Sequence, residues 1–324
     1  MNRKCPRFVG CRDDDTDVAA NNRVEEGMFR RALLLSTLSL AFGLTMTTSG
    51  VAAVSDAPVG ITGDTAASAF FGADLAGGNE VPAADPDGTA TALVRITGTE
   101  VCYALRWAGI TAPFAGHIHS GVAGVSGPVA VGFFAIPGGA TLPANLTAVA
   151  GCVTADQALV DAIIANPAGF YVNTHTVDFR AGAVRGQLRK LRHADLNAFS
   201  GGRTLSAVAS GVKEVPGPGD VDARSVARFD VKADVVDFAA SWTAFDLPTA
   251  AHIHLGTPAL SGPVIVPLFA QPGGLPASIT AVAGTATAAP AVLQDIRDNP
   301  RAFYYNIHNA EFPAGGARGQ LARR

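Results

Sequence analysis

Charged side chains are scarce in this chain. They make up 16% of its 324 residues, against roughly 25% in typical soluble domains. The formal net charge is −3, and the sequence contains no long run of basic residues. A nucleic-acid-binding protein normally presents a basic face, and a membrane-surface protein a polybasic patch. We therefore expect neither nucleic acid nor a charged membrane surface as a partner.

The common catalytic motifs are also missing. The sequence has no Gly-x-Ser-x-Gly elbow, no phosphate-binding loop and no His-Glu-x-x-His pair. Cysteine is limited to four residues without a Cys-x-x-Cys spacing, which argues against a thiolate zinc site. These absences favour a non-enzymatic protein.

What the chain does contain is an internal repeat that keeps its polar residues. Six of its seven histidines fall in register between two copies. The repeated segments are Gly116-His117-Ile118-His119 with Ala251-His252-Ile253-His254, Ser126-Gly127-Pro128-Val129 with Ser261-Gly262-Pro263-Val264, Phe170-Tyr171-Val172-Asn173-Thr174-His175 with Phe303-Tyr304-Tyr305-Asn306-Ile307-His308, and Arg185-Gly186-Gln187-Leu188 with Arg318-Gly319-Gln320-Leu321. A polar residue that recurs in both copies needs a physical reason.

The repeat and the composition divide the chain into six parts. We expect a doubtful N-terminal extension over 1–27, a signal peptide over 28–53, a lead-in over 54–68, a first domain over 69–190, a linker over 191–203 and a second domain over 204–324.

The N-terminal region carries the features of an export signal. Met28-Phe29-Arg30-Arg31 supplies a start and a basic segment, Ala32 to Leu44 is apolar and uncharged, and Val51-Ala52-Ala53 offers small residues for cleavage. The apolar run is shorter than the roughly 20 residues of a membrane span. We expect a secreted or periplasmic protein with no transmembrane span in the mature chain; the alternative is a cytoplasmic tail before an uncleaved anchor.

Each copy reads as a series of short strands. Thr89–Thr97 and Ser225–Val231 alternate apolar and polar residues, as half-buried strands do. One helix is predicted in each copy, over Ala155–Ala165 with Thr154 as its N-cap and over Pro290–Asp298. The pattern predicts a mainly β protein of two tandem antiparallel β-sandwich or barrel domains, each with one short helix.

The cysteines beyond the signal are Cys102 and Cys152. The second copy has Asp237 and Thr285 at the matching positions, so both members of the pair are absent together. A structural disulfide explains this joint absence and fits an oxidising compartment. The alternative is two unrelated buried thiols.

The histidine spacing predicts a metal site in each copy. Side chains at i and i+2 of a strand point the same way, so His117 with His119, and His252 with His254, present paired imidazoles. The third members, His175 and His308, lie on a later predicted strand. Three converging imidazoles suit copper or zinc. Two alternatives remain: a structural polar cluster, and a partner-binding surface without metal.

Other repeated polar residues are expected to support these sites. Asn173 and Asn306, two residues before the third histidine, face the same side and could orient a ligand. A buried arginine is costly unless it is paired, so an ion pair with a carboxylate is expected for each of the two repeated arginines, with an anion site as the alternative. The residues concerned are Arg185 and Arg318, and the repeated carboxylates are Glu80, Glu214, Asp178 and Glu311.

Taken together, these motifs resemble the CHRD domain, the repeated domain of chordin. The matching elements are Glu-Val-Pro, Cys-Tyr, His-Ile-His, Ser-Gly-Pro-Val, Asn-Pro, Phe-Tyr-x-Asn-x-His and Gly-Ala-x-Arg-Gly-Gln-Leu, and they cover nearly all of 69–324. The second copy departs in lacking the cysteine pair and in reading Gly315-Gly316-Ala317 before its arginine. The resemblance implies a secreted or periplasmic β domain and does not specify an activity.

A looser likeness is to copper/zinc superoxide dismutase, which also places His-x-His on a barrel strand. A dismutase needs further histidines and an aspartate, whereas each copy here offers three histidines. The leading expectation is an exported non-enzymatic binding protein with a copper or zinc site in each domain. The second is an extracellular module with structural histidines whose partner is a protein or polysaccharide, and the third is a redox metalloenzyme.

Overall fold

The computed structural model describes residues 68–200 and 204–324. The first copy contains strands β1 Ala69–Ala76, β2 Thr89–Thr97, β3 Glu100–Ala108, β4 Ala115–Ser120, β5 Val129–Ala135, β6 Leu146–Thr154, β7 Phe170–His175, β8 Val184–Gln187 and β9 Arg189–Leu191, with helix α1 Gln157–Ala165. The second contains β10 Leu205–Ser210, β11 Arg224–Val231, β12 Val235–Thr243, β13 Ala250–Leu255, β14 Val264–Ala270, β15 Ala281–Thr287, β16 Phe303–His308, β17 Ala317–Gln320 and β18 Ala322–Arg323, with helix α2 Pro290–Asp298. The expected mainly antiparallel β fold with one short helix in each copy is confirmed.

Each copy is a sandwich of two antiparallel sheets. In the first copy, β6–β3–β2–β1 form one sheet and β8–β7–β4–β5 form the other. Strand β1 also pairs with β8 and β9, which joins the sheets along one side. No ladder joins β5 to β6 among the described residues, so the sandwich stays open on its other side. The second copy repeats the arrangement as β15–β12–β11–β10 and β17–β16–β13–β14.

The apolar positions of the alternating strands fill the space between the sheets. Val94, Leu105, Ile118 and Val172 are fully buried there, and Ile163 of α1 belongs to the same cluster. Removal of this apolar surface from water is the main favourable contribution to folding. The opposite face of each sheet is therefore free to carry polar side chains.

The first helix begins later than expected. Thr154, the predicted N-cap, is the last residue of β6 and lies opposite Glu100 in the ladder with β3. This pairing holds Thr154 in the extended conformation, so the helix starts at Gln157, after Asp156. The second helix has the predicted bounds.

The two copies share one continuous sheet. Edge strand β6 of the first pairs antiparallel with edge strand β15 of the second, with Val149 opposite Val282. The Asn145 amide donates hydrogen bonds to the carbonyls of Leu268 and Thr285 across this junction. Eight strands thus form a single sheet, and the two copies belong to one compact unit.

The predicted disulfide is confirmed. Cys102 and Cys152 are bonded across neighbouring strands β3 and β6. In the second copy, Asp237 and Thr285 lie opposite each other in the corresponding ladder, and the Thr285 hydroxyl donates a hydrogen bond to Asp237 Oδ1 at 2.7 Å. A polar cross-strand contact therefore takes the place of the covalent one.

The predicted extension, signal peptide and all but the last residue of the lead-in lie outside the described residues. Across 68–200 and 204–324, the helices are too short and not apolar enough to cross a bilayer.

We expect the double substitution Cys102→Ala/Cys152→Ala to lower the free energy of unfolding by about 2–4 kcal/mol, because the bond restricts the unfolded chain. Replacing the same pair by Cys102→Asp/Cys152→Thr, which copies the second domain, should recover about 1 kcal/mol through the hydrogen bond. Urea denaturation of the three proteins measures both effects. Equal stability of all three would contradict a structural role for the bond.

Candidate functional site

The repeated polar residues lie on the outer face of the second sheet of each domain. Across strands β4, β7 and β8, His117 lies opposite Asn173, and Asn173 lies opposite Arg185. Directly opposed residues of antiparallel strands share a face. A parallel row places His119 opposite Tyr171. The intervening residues on these strands point to the core.

The second domain repeats this grid in the same register. His252, Asn306 and Arg318 form one row, and His254 lies opposite Tyr304 in the next. In each domain the third histidine lies one row further along the same strand as the asparagine. The structure thus brings each predicted set of three histidines together, with possible ligand atoms within 4.8 Å of one another.

Backbone carbonyls fix two histidine rings of the first domain. His119 Nδ1 lies 2.9 Å from the Gly127 carbonyl, and His175 Nδ1 lies 2.9 Å from the Arg180 carbonyl. Because a carbonyl oxygen only accepts, each Nδ1 must carry the proton. The Nε2 atom of each ring then offers a lone pair.

These lone pairs are buried and unpaired. Among the described residues, His119 Nε2, His175 Nε2 and His117 Nδ1 are inaccessible to water and have no hydrogen-bond partner. The ring centroid of His117 lies 4.9 Å from that of His175 and 5.5 Å from that of His119. Nitrogens about 2.0–2.1 Å from a tetrahedral zinc ion lie about 3.4 Å apart. The possible ligand atoms here lie within 4.8 Å of one another, so the rings would have to move closer together to bind one ion.

The second domain differs in one bond. His254 Nδ1 and His308 Nδ1 again contact carbonyls, those of Gly262 and Pro313, and His254 Nε2 is buried and unpaired. However, His252 Nδ1 lies 3.0 Å from His308 Nε2. Since His308 carries its proton on Nδ1, His252 donates this hydrogen bond. A metal ion would have to displace it.

A tyrosine ring and an arginine side chain pack in a stack beside His119. The ring of His119 stacks on that of Tyr171 with centroids 5.0 Å apart, and the Arg185 guanidinium carbon lies 3.6 Å from the same tyrosine ring. Arg185 also donates to the carbonyls of Val122 and Val125 in the loop between β4 and β5. That loop carries the carbonyl that orients His119, so Arg185 holds the histidine's support in place.

Glutamine fastens the same loop at its start. Gln187 donates to the Gly121 carbonyl at 2.6 Å, and Gln320 donates to the Gly256 carbonyl at 2.6 Å. Arg318 likewise donates to two carbonyls of the matching loop and packs over the Tyr304 ring. The sequence motifs did not predict these supporting roles of the tyrosines and glutamines, although their recurrence in both copies was the available signal.

The expected ion pairs between arginine and carboxylate are not formed. Within 68–200 and 204–324, the ion pairs are Arg95–Glu100, Arg189–Asp74 and Lys232–Asp237. Loop carbonyls and a tyrosine ring contact the guanidinium of Arg185 instead. Asp178, another candidate, accepts a hydrogen bond from Thr111 at 3.0 Å.

The glutamates are nevertheless buried near the arginines. Burial raises the pKa of Glu80 to about 7, although the charge of Arg185 and a hydrogen bond from Asn173 oppose this shift. Burial likewise raises the pKa of Glu214 to about 7, opposed by the hydrogen bond from Asn306 Nδ2 at 3.3 Å and by an arginine charge. Each asparagine therefore donates a hydrogen bond to the glutamate beside the histidine cluster. The side-chain oxygen of each asparagine is buried without a partner.

A comparison with protein-family models supports the assignment suggested by the motifs. The model of the CHRD domain matches residues 71–188 and 205–321. The chain belongs to the CHRD-domain family. A search of curated proteins finds no match to it.

In both CHRD domains, burial favours the neutral form of clustered histidines. Burial lowers the pKa of His117, His252 and His308 to about 4, and neighbouring histidines lower it further in each case. Burial also lowers the pKa of His175 and His254. Neutral imidazole is the form that binds a metal ion.

This burial predicts a loss of stability in acid. The folded pKa of about 4 for His252 and His308 lies below the unfolded value of about 6.5, so the unfolded state binds more protons between these limits and stability falls as the pH falls. In chelator, urea denaturation should show His252→Gln/His308→Gln losing about 2–4 kcal/mol less stability than the wild type between pH 6.5 and 4.5, because each ring contributes up to about 2 kcal/mol over this interval. Glu80 and Glu214, whose pKa is raised in the folded state, add stability as the pH falls, and they do so equally in the wild type and the variant. Parallel plots of unfolding free energy against pH for the two proteins would contradict the prediction.

Proposed function

We propose that this protein is an exported, non-enzymatic binding protein whose two CHRD domains each hold a copper or zinc ion on three histidines. The ligands would be His117, His119 and His175 in the first domain. In the second domain they would be His252, His254 and His308.

The observation that carries the proposal is the set of three buried, unpaired ring nitrogens in the first domain. A buried polar atom without a partner costs about 1–3 kcal/mol, and a cluster that served only as hydrogen-bonded structure would satisfy its own atoms. Carbonyl contacts that fix the ring orientation and protonation are also the usual support of a metal-binding histidine. Imidazole ligands suit both copper and zinc.

Three features support export. The segment over 28–53 has the composition of a signal peptide. The disulfide fits an oxidising compartment. Membership of the CHRD family is in keeping with a secreted or periplasmic binding module.

A second candidate function is favoured by one contact in the second domain. The hydrogen bond between His252 and His308 is what a structural histidine cluster would contain. The protein would then be an extracellular interaction or matrix module that recognises a protein or polysaccharide without metal.

Metal content distinguishes the two. Protein produced in an oxidising compartment without a histidine tag should contain about two equivalents of copper or zinc per chain, one for each three-histidine site, as measured by mass spectrometry. His117→Ala should remove the metal of the first domain alone, and His117→Ala/His252→Ala should remove both. His193→Ala is the matched control, because His193 is the one histidine outside the two clusters, and it should keep the wild-type content.

Metal-free protein after incubation with both ions would refute the proposal. If His117→Ala then also lowered the melting temperature, the structural interpretation would stand. Metal in the first domain but not in the second would identify the hydrogen bond between His252 and His308 as a barrier to metal binding.

A further inference from the structure

Each histidine cluster brings the same three ring nitrogens together. In the first domain these are His117 Nδ1, His119 Nε2 and His175 Nε2, which are buried and have no hydrogen-bond partner among the described residues. In the second domain the atoms that match two of them, His252 Nδ1 and His308 Nε2, lie 3.0 Å apart. The recurrence of this atom set defines a ligand group of three neutral nitrogens.

The described part of the chain adds no carboxylate or thiol to either group of three histidines. In the first domain, the three ring nitrogens are also inaccessible to water, which could otherwise serve as a further ligand. The buried oxygen on the same row, Asn173 Oδ1, belongs to an amide. Amide oxygens are hard ligands that suit magnesium, calcium or manganese better than copper or zinc. Each group therefore offers three good ligands and no good fourth one.

The charges around the cluster disfavour a divalent ion. A guanidinium lies one aromatic ring away from a ligand histidine, because Arg185 packs over Tyr171 and Tyr171 stacks on His119. The second domain contains the same stack. The glutamate beside the first cluster, Glu80, interacts with the charge of Arg185, so it offsets the guanidinium first. Three neutral imidazoles then leave the charge of a bound ion uncompensated, and burying a divalent ion costs about four times as much as burying a monovalent one of equal size.

The number of ligands leads to the same ion. Zinc in proteins is almost always held by four ligands, and Cu(II) prefers a square-planar or tetragonal set. Cu(I) carries a single charge and a filled d shell, and it is stable with three nitrogen ligands. Imidazole is a good ligand for copper. A closed group of three neutral imidazoles therefore suits Cu(I) better than either divalent ion.

We propose that both three-histidine clusters select Cu(I) over zinc and Cu(II). This inference rests on the proposed function, because it names the ion that the same sites hold. The exported protein would then keep copper in its reduced form, shielded from water.

Competition between ions tests the proposal. The full chain carries Cys5→Ser/Cys11→Ser, because free thiols also bind Cu(I), whereas Cys102 and Cys152 are bonded to each other. Metal-free protein is titrated without oxygen against Cu(I) held by bathocuproine disulfonate and, separately, against zinc held by a chelating indicator. We expect about two Cu(I) ions per chain, one for each cluster. The Kd for zinc should be ~10-fold or more above that for Cu(I).

Electron paramagnetic resonance tests the selection against Cu(II). Cu(I) has no unpaired electron, so the copper-loaded protein should give no signal and should remain silent after it is exposed to air. A Cu(II) signal that appears on exposure to air would overturn the proposed preference for the reduced ion.

Gly132 allows the missing charge to be added. It lies opposite His117 in the ladder of β4 and β5, and a Cβ at this position would meet His117 Cδ2 at 4.0 Å without a closer contact. Gly132→Asp therefore places a carboxylate beside the cluster, and Gly132→Asn is the uncharged control. With His252→Ala removing the second site, Gly132→Asp should lower the Kd for zinc ~10-fold relative to Gly132→Asn.

The outcomes separate this inference from the proposed function. Zinc binding as tight as Cu(I) binding would overturn the inference and leave the proposed function in place, whereas binding of neither ion would overturn both. Equal zinc affinity of Gly132→Asp and Gly132→Asn would overturn the argument from charge. If the Gly132 variants failed to fold, the competition between Cu(I) and zinc would still decide, because it uses a chain with both clusters intact.

Discussion

The ladder that joins β4, β7 and β8 determines where the chemistry of each domain is located. It sets His117, Asn173 and Arg185 side by side on the outer face while Ile118 and Val172 enter the core. A shift of one residue in this register would turn every side chain to the other face. The burial of the apolar set therefore also holds the polar set in place.

The supporting contacts form a hierarchy around the histidines. Carbonyls of two loops fix the rings, while arginine and glutamine fix the loop that carries one of these carbonyls. Arg185 donates two hydrogen bonds to the loop, and its guanidinium carbon lies over the Tyr171 ring, a combination that lysine could not reproduce. The recurrence of these residues in both copies is thus explained without a catalytic role for them.

Periodicity and recurrence predicted the elements that depend on local sequence. The alternation in Thr89–Thr97 gave β2 with its observed bounds, and joint absence identified the Cys102–Cys152 bond. Contacts that depend on distant segments were not predictable. Thr154 is extended because β3 pairs with it, and the partners of Arg185 are carbonyls, which every residue carries and no sequence pattern marks. The junction was hidden for the same reason, since an edge strand looks like any other strand.

The pairing of β6 with β15 limits how this architecture can grow. An unpaired sheet edge is a site for adding another strand, and here each domain covers that edge of its neighbour. Once formed, the junction leaves neither partner with a free β6-type edge, so a third domain could not join by the same contact. This mode of association is therefore limited to two domains. Separating them would expose the unpaired backbone groups of β6 and β15, two sheet edges that are complementary to each other.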